Sequence, residues 1–325
     1  MPVALDASGR AWLFMDEGDG RHVMRWESGT LADLGALPGF AANMPAEGLI
    51  AGGVPVDGCL SPCDQSRALF LWRETGVTEL PLAMPTSDAQ VRDISSGGTV
   101  LVNVGDLASI WDGVTQTDLG AGTGAAINDA GQAVGTAFGA GSTRAFLWSS
   151  GTRRDLALLP GGTSSQAMDI NAAGDVVGSV TDASGRSRAV IWRSGSDPVE
   201  IPAGAEDSTW ALMINDAGHV LVASTAGRRW LWDGTHAQAI GTIGQRISIT
   251  GLNERGEVFG SYHPGGGSDA RAFVWRDGTL HDLGTGTTGG VSASVQAGND
   301  NGDLLGFYLT TAGNIRPVLW RRLGL

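Results

Sequence analysis

The sequence contains no lysine; all 21 basic residues are arginine. Schiff-base chemistry, a lysine general base and a phosphate-loop lysine are therefore excluded. Bases are also outnumbered, 21 against 34 acids, giving a formal charge of −13 and a pI near 4.7. Such a surface repels phosphate backbones and anionic lipid, so neither nucleic acid nor a membrane is an expected partner. No run of 18 apolar residues occurs, and no helical membrane span is expected. The opening "MPVALDASGR" lacks the basic-then-apolar order of a secretory leader. A cytoplasmic location is expected, the alternative being a secreted protein whose leader has been removed.

Metal and cofactor signatures are scarce too. Cys59 and Cys63 cannot make a disulfide framework, and "CLSPC" offers no second ligand pair for zinc. "DEGDG" (16–20) lacks the ligand spacing of a calcium loop. The glycine run "GTGTTGG" (284–290) does not lead from a strand into a helix, so it makes a poor phosphate loop. There is no nucleophile elbow and no zinc-protease histidine motif. The expected chemistry uses neither metal nor cofactor.

Glycine is abundant, 51 of 325 residues, and there are 11 tryptophans. Strong helix formers cluster nowhere, which favours short strands joined by tight turns. A tryptophan closes an apolar strand at Trp26, Trp72, Trp111, Trp148, Trp192, Trp232, Trp275 and Trp320. The spacings are 46, 39, 37, 44, 40, 43 and 45 residues. Upstream of each lies a turn: "LDASG", "MPAEG", "ISSGG", "INDAG", "INAAG", "INDAG", "LNERG" and "GNDNG". A period of about 42 residues with four short strands per unit is the signature of a propeller blade. The expected fold is all-β, a single β-propeller domain over 1–325. Its eight four-stranded repeats run 1–40, 41–86, 87–123, 124–163, 164–205, 206–245, 246–290 and 291–325. Only five residues follow Trp320, too few for a fourth strand, so seven blades remain open.

Within one repeat the strands read "AMDI" (167–170), "DVVGSV" (175–180) and "SRAVIW" (187–192), with "RRDLALL" (153–159) showing the fourth. The strands "RAFLW" (144–148) and "RAFVW" (271–275) have "INDAG" upstream and "DLG" or "LLPGG" downstream. They resemble the HAF-repeat family, whose members are mostly bacterial and often secreted. The resemblance spans nearly the whole chain and implies a propeller-like repeat fold without implying an activity. Most copies here carry arginine where that family has histidine; His22 keeps it.

What recurs in every repeat supports the scaffold, and what breaks the pattern is a candidate for function. The third-strand arginines, such as Arg144, Arg188 and Arg271, therefore read as structural partners of the aspartate in "DLG". The first-to-second and third-to-fourth turns are short and share one face. The irregular connections gather on the other, where binding residues are expected. His263, beside Tyr262, lies on one such connection, and Tyr308 occupies the equivalent place in the next repeat. Along the inner strands, alternation puts Gln90, Arg92, Gln166, Met168, Trp210 and Gln296 on the variable side. Trp210 follows Glu206 and Asp207, and Arg246 opens the next inner strand.

The expected catalytic residues are Arg92, Asp207, Tyr262, His263 and Tyr308, supplying acid–base and oxyanion contacts. The expected ligand contacts are Trp210, Gln90, Gln166, Met168, Glu206, Arg246 and Gln296. The expected partner is a small organic molecule bound by a monomer. The expected reaction is a cyclisation, isomerisation or elimination, the alternative a lectin-like or other small-molecule-binding propeller without catalysis.

Overall fold

Asparagine at the first position and glycine at the fourth let the chain reverse within four residues. In "NAAG" the Gly174 N–H donates to the Asn171 carbonyl at 3.0 Å, with Gly174 at φ +80°. That left-handed conformation costs glycine little. The Asn171 side chain completes the loop by accepting from the Asp175 N–H at 2.9 Å. The computed structural model shows this device repeated between successive strands. It describes residues 2–17, 20–43, 49–55, 66–80, 89–139, 141–204, 207–241, 246–264, 269–286 and 289–322. The chain divides into two compact units, Met1–Ala36 with Ala226–Leu325, and Leu37–Thr225.

The first unit opens with β1 (Pro2–Leu5), β2 (Ala11–Glu17), β3 (Gly20–Glu27) and β4 (Thr30–Ala36), paired antiparallel in that order. In the second unit β5 (Phe40–Asn43), β6 (Ile50–Pro55), β7 (Ser66–Arg73) and β8 (Gly76–Leu80) repeat the meander. A seven-stranded sheet follows. It begins with β9 (Ala89–Ile94), β10 (Val100–Val104), β11 (Leu107–Trp111) and β12 (Gln116–Ile127). It continues with β13 (Ala133–Phe138), β14 (Thr143–Ser149) and β15 (Thr152–Asp155). Strand β12 serves two repeats, pairing with β11 through Ala121 and with β13 from Gly122 onward. Next come β16 (Gly162–Ile170), β17 (Val176–Asp182), β18 (Ser187–Trp192) and β19 (Val199–Glu200). The hairpin β20 (Thr209–Ile214) and β21 (Val220–Ser224) completes this unit.

The first unit resumes with the hairpin β22 (Arg229–Trp232) and β23 (Ala237–Ala239). A four-stranded sheet contains β24 (Arg246–Leu252), β25 (Val258–His263), β26 (Arg271–Arg276) and β27 (Thr279–Gly284). A three-stranded sheet contains β28 (Gly290–Gly298), β29 (Leu304–Thr310) and β30 (Ile315–Trp320). The third strand "SRAVIW" has the limits read from the sequence, whereas β16 starts five residues before "AMDI" and β15 stops at Asp155.

The sheets stack through apolar faces and through a ladder of turn asparagines. In the second unit Leu147 and Leu156 pack with Ala167, Val176 and Trp192 of the following sheet. There the Asn128 side-chain amide donates to the Asn171 carbonyl at 2.9 Å, and Asn171 to the Asn215 carbonyl at 3.2 Å. In the first unit Asn253 donates to the Asn299 carbonyl at 3.0 Å, and Asn299 to the Asp6 carbonyl at 2.8 Å. Each rung satisfies a buried carbonyl that would otherwise lose its partner in water. Where the turn residue is Ser95 or Asp6, the local turn survives but no amide is present to extend the ladder.

Candidate functional site

Among the described residues, eight inner strands each carry one extra residue one or two places before the last ladder position. These residues are Val3, Ala42, Arg92, Ala125, Met168, Leu212, Thr250 and Gln296. A bulge of this kind re-aims a side chain out of the period-two pattern. The preceding residues are small or apolar and buried at Val91, Ala167, Ala211 and Val295. In four sheets glycine stands opposite, at Gly135, Gly178, Gly260 and Gly306, where a Cβ would overlap an inner-strand carbonyl. Val102 and Val222 take the same register without glycine.

In the second unit several expected ligand contacts lie on the solvent side of their inner strands. Gln90 and Arg92 are exposed on β9, and Gln166 and Met168 are exposed on β16. Trp210 is half-buried at the start of β20, while Trp12 is buried and Trp230 half-buried. Asp207 is half-buried just before β20, its N–H donating to the Gly204 carbonyl at 3.0 Å. Glu206 lies outside the described residues, as do Cys59 and Cys63.

Two carboxylates that the sequence reading passed over follow the bulged residues directly. Asp93 follows Arg92 and accepts from the N–H groups of Ile94 and Ile127, both at 2.9 Å. Asp169 follows Met168 and accepts from Ile170 at 2.9 Å and Ile214 at 2.8 Å. Each thus joins its own inner strand to the next one. Burial pushes the Asp169 carboxyl up to about 7, against the lowering effect of its two N–H donors, and Asp93 and Asp216 add to the rise. A carboxyl that exchanges a proton near neutrality is a candidate acid–base group. The signal was present in "RDI" (92–94) and "MDI" (168–170), since aspartate takes this position there and not in most repeats.

The remaining expected residues lie in the first unit. Tyr262 is 7% exposed and stands edge-on to Phe273, with ring centroids 6.2 Å apart. Its hydroxyl is bonded to Asp282 and Arg271, and burial followed by the Asp282 charge raises its pKa. Arg271 and Asp282 are 2.7 Å apart, and His22 meets Asp33 at 2.9 Å, the paired arrangement expected of "DLG". Arg144 departs from it and donates to the Thr163 carbonyl at 2.6 Å. His263 is half-buried at the end of β25, opposite the exposed Arg246. Tyr308 is half-buried and packs with the cluster around Val295 and Leu304. The Gln296 amide donates to the Ser294 hydroxyl and the Val295 carbonyl, both at 3.1 Å. Among the described residues no three His, Cys, Asp or Glu side chains converge as metal ligands. Among the described residues no helix is long and apolar enough to cross a membrane.

No family model and no curated protein sequence matches the chain. Solved structures do resemble it. Porphyromonas gingivalis dipeptidyl peptidase 4 aligns at TM-score 0.60 and 12% identity, over 97% of this chain and 58% of that one. Pyrococcus horikoshii acylaminoacyl peptidase aligns at TM-score 0.50 and 12% identity, over 85% and 50%. The chain thus spans about half the length of the peptidases it resembles, 58% of one and 50% of the other. The β-propeller domain of the trilobed protease from Pyrococcus furiosus, described as having an open velcro topology, aligns at TM-score 0.50 and 9% identity. That match covers 98% of this chain and 94% of the other. Together with the repeated antiparallel meanders, these likenesses show that the chain folds as a β-propeller.

Proposed function

We propose that the propeller has eight blades and that the inner strands of Leu37–Thr225 bind a small polar organic molecule. The observation that carries this reading is the bulged row. A uniform buried face holds the strands, while the re-aimed positions differ chemically from sheet to sheet, as scaffold and site residues should. Arg92 offers a bidentate cation for a carboxylate or similar oxygen pair. Gln90 and Gln166 supply amide contacts, and Met168 and Trp210 an apolar wall. Asp169 supplies a proton-exchanging group, which suits cyclisation, isomerisation or elimination without a cofactor. Tyr262 is held by Asp282 and Arg271, and this reading gives it a structural role.

The test is a thermal-shift screen of small carboxylates, sugars and related metabolites against the parent protein, Arg92→Ala and Trp210→Ala. A ligand that stabilises the parent is expected to bind Arg92→Ala more weakly. Losing a charged hydrogen bond of about 1.5–3 kcal/mol corresponds to roughly 10–100-fold in Kd. Ligands that bind both variants as tightly as the parent would place the site elsewhere. Mass spectrometry of the bound compound separates the two functional readings. A converted product supports an enzyme, and unchanged ligand supports a binding module.

A further inference from the structure

Asparagine is followed by glycine once in the sequence, at Asn301–Gly302. The backbone nitrogen after an asparagine can attack the side-chain carboxamide carbon and close a five-membered imide. A Cβ on the following residue hinders that approach, and glycine has none. The other turn asparagines, Asn128, Asn171, Asn215 and Asn253, are each followed by a residue with a side chain. At the place of Asn301 the equivalent turns carry Ser8, Ala130, Ala173, Ala217 and Arg255, none of which has a carboxamide.

Within the first unit this step joins the turn between β28 and β29 to the turn between β1 and β2. Asn301 is exposed, and its side-chain amide donates to the Ala7 carbonyl at 2.5 Å. Its own N–H donates to the Asn299 side-chain oxygen at 3.1 Å. The Gly302 nitrogen is the nucleophile, and its N–H donates to the Asn299 carbonyl at 3.0 Å. Gly302 is buried, and a Cβ there would meet the side chains of Arg322 and Glu257. Both reacting groups are thus held in hydrogen bonds that imide formation must break. The reaction requires the turn to leave Ala7, so its rate follows the local opening of this contact.

We propose that Asn301 is a spontaneous modification site, whose conversion to aspartate or isoaspartate weakens the contact between the β1–β4 and β28–β30 sheets. The Gly302 nitrogen bonds to the Asn301 Cγ, the Cγ–Nδ2 bond breaks, and ammonia leaves with the Gly302 proton. One water molecule then opens the imide at either carbonyl, giving aspartate or isoaspartate. Either product places a carboxylate where the amide donated, so the Ala7 carbonyl loses this donor and faces a negative charge. Asp300 and Asp303 flank the new charge in the chain and add to its cost. Isoaspartate also lengthens the backbone by one carbon, inside the turn that the Gly302 N–H and the Asn299 carbonyl close.

The test ages the full chain at mildly alkaline pH, folded and in urea, and reads residue 301 by peptide mapping with mass spectrometry. The product gains the mass of O over NH, and chromatography separates isoaspartate from aspartate. In urea, residue 301 is expected to be the fastest-modified asparagine. Folding is expected to slow it by about tenfold or more, a factor corresponding to roughly 1.4 kcal/mol of opening. Asn299→Asp removes the neighbouring donor to the Asp6 carbonyl and is expected to speed modification of the folded chain several-fold. If that variant does not fold, the comparison with urea decides alone. Asn301→Asp carries the product's charge from the start and is expected to exchange amides faster than the parent across β1–β4. Equal rates in the folded chain and in urea overturn the proposal, as does absence of product at residue 301 in every folded sample. An Asn301→Asp chain and an aged isoaspartate chain whose β1–β4 exchange matches the parent's also overturn it.

Discussion

At the scale of single residues, Asp169 is the group whose environment most changes its chemistry. An unfolded aspartate ionises near pH ~3.9. In the fold burial raises Asp169 to about 7. Between those values the folded chain holds a proton that the unfolded chain releases. Its contribution to stability is therefore fully present below about pH 4, declines as pH rises to about 7, and is constant above. Asp169→Asn removes this dependence. The variant also loses one acceptor for the Ile170 or Ile214 N–H, at about 1–3 kcal/mol. Its thermal midpoint should be lower at acid pH, with the gap to the parent narrowing between pH 4 and 7.5 in scanning calorimetry. Parallel curves would show that Asp169 does not titrate in this range. Asp233 acts in the opposite sense. N–H groups of His236 and Thr235 and the Thr235 hydroxyl lower it to about 2, so its contribution is lost only as pH falls below about 4. The sequence marks the Asp169 position as unusual among the repeats but shows neither its burial nor its partners. The Ile214 N–H that fixes the Asp169 carboxylate is 45 residues away.

At the scale of elements, the turns were legible and their second task was not. Asn-x-x-Gly announces a hairpin because asparagine caps the loop and glycine takes the left-handed position. The same asparagine also reaches the next sheet, a contact between residues 43 or 44 positions apart that no local pattern encodes. The bulges escaped for a related reason. Strict alternation assigns Arg92 and Met168 to one face but cannot show that each is an inserted residue. Asn171→Asp separates the two tasks. The carboxylate still accepts from the Asp175 N–H, as Asp6 accepts from Arg10 at 2.8 Å in its own turn. It cannot donate to the Asn215 carbonyl, which is left without its rung. The expected loss is about 1–3 kcal/mol, or a few degrees in thermal midpoint for a chain of this length, with unchanged β-sheet circular dichroism. An unchanged midpoint would mean that apolar packing alone joins these sheets.

At the scale of the molecule, repetition made the architecture readable, because each repeat restates the same strands, turns and tryptophan. Repetition is silent about the two ends of the array, where the neighbours are distant in sequence. In the first unit those ends meet. The Asn299 amide donates to the Asp6 carbonyl 293 residues away, and Leu5, Ala11 and Leu305 share one apolar cluster. This rung is chemically the same as that of Asn171, yet its loss has a different consequence. Sheets consecutive in the chain stay tethered when a rung breaks, whereas the first and last sheets are held by contacts alone. Opening them releases a very long loop and its entropy. Asn299→Asp is therefore expected to speed amide exchange across β1–β4 and β28–β30, while Asn171→Asp leaves exchange in β16–β18 close to the parent's. Hydrogen exchange read by mass spectrometry distinguishes the cases. If β1–β4 remain as protected in Asn299→Asp as in the parent, the meeting of the ends does not depend on this rung, and the apolar cluster of Leu5, Ala11 and Leu305 holds these two sheets together.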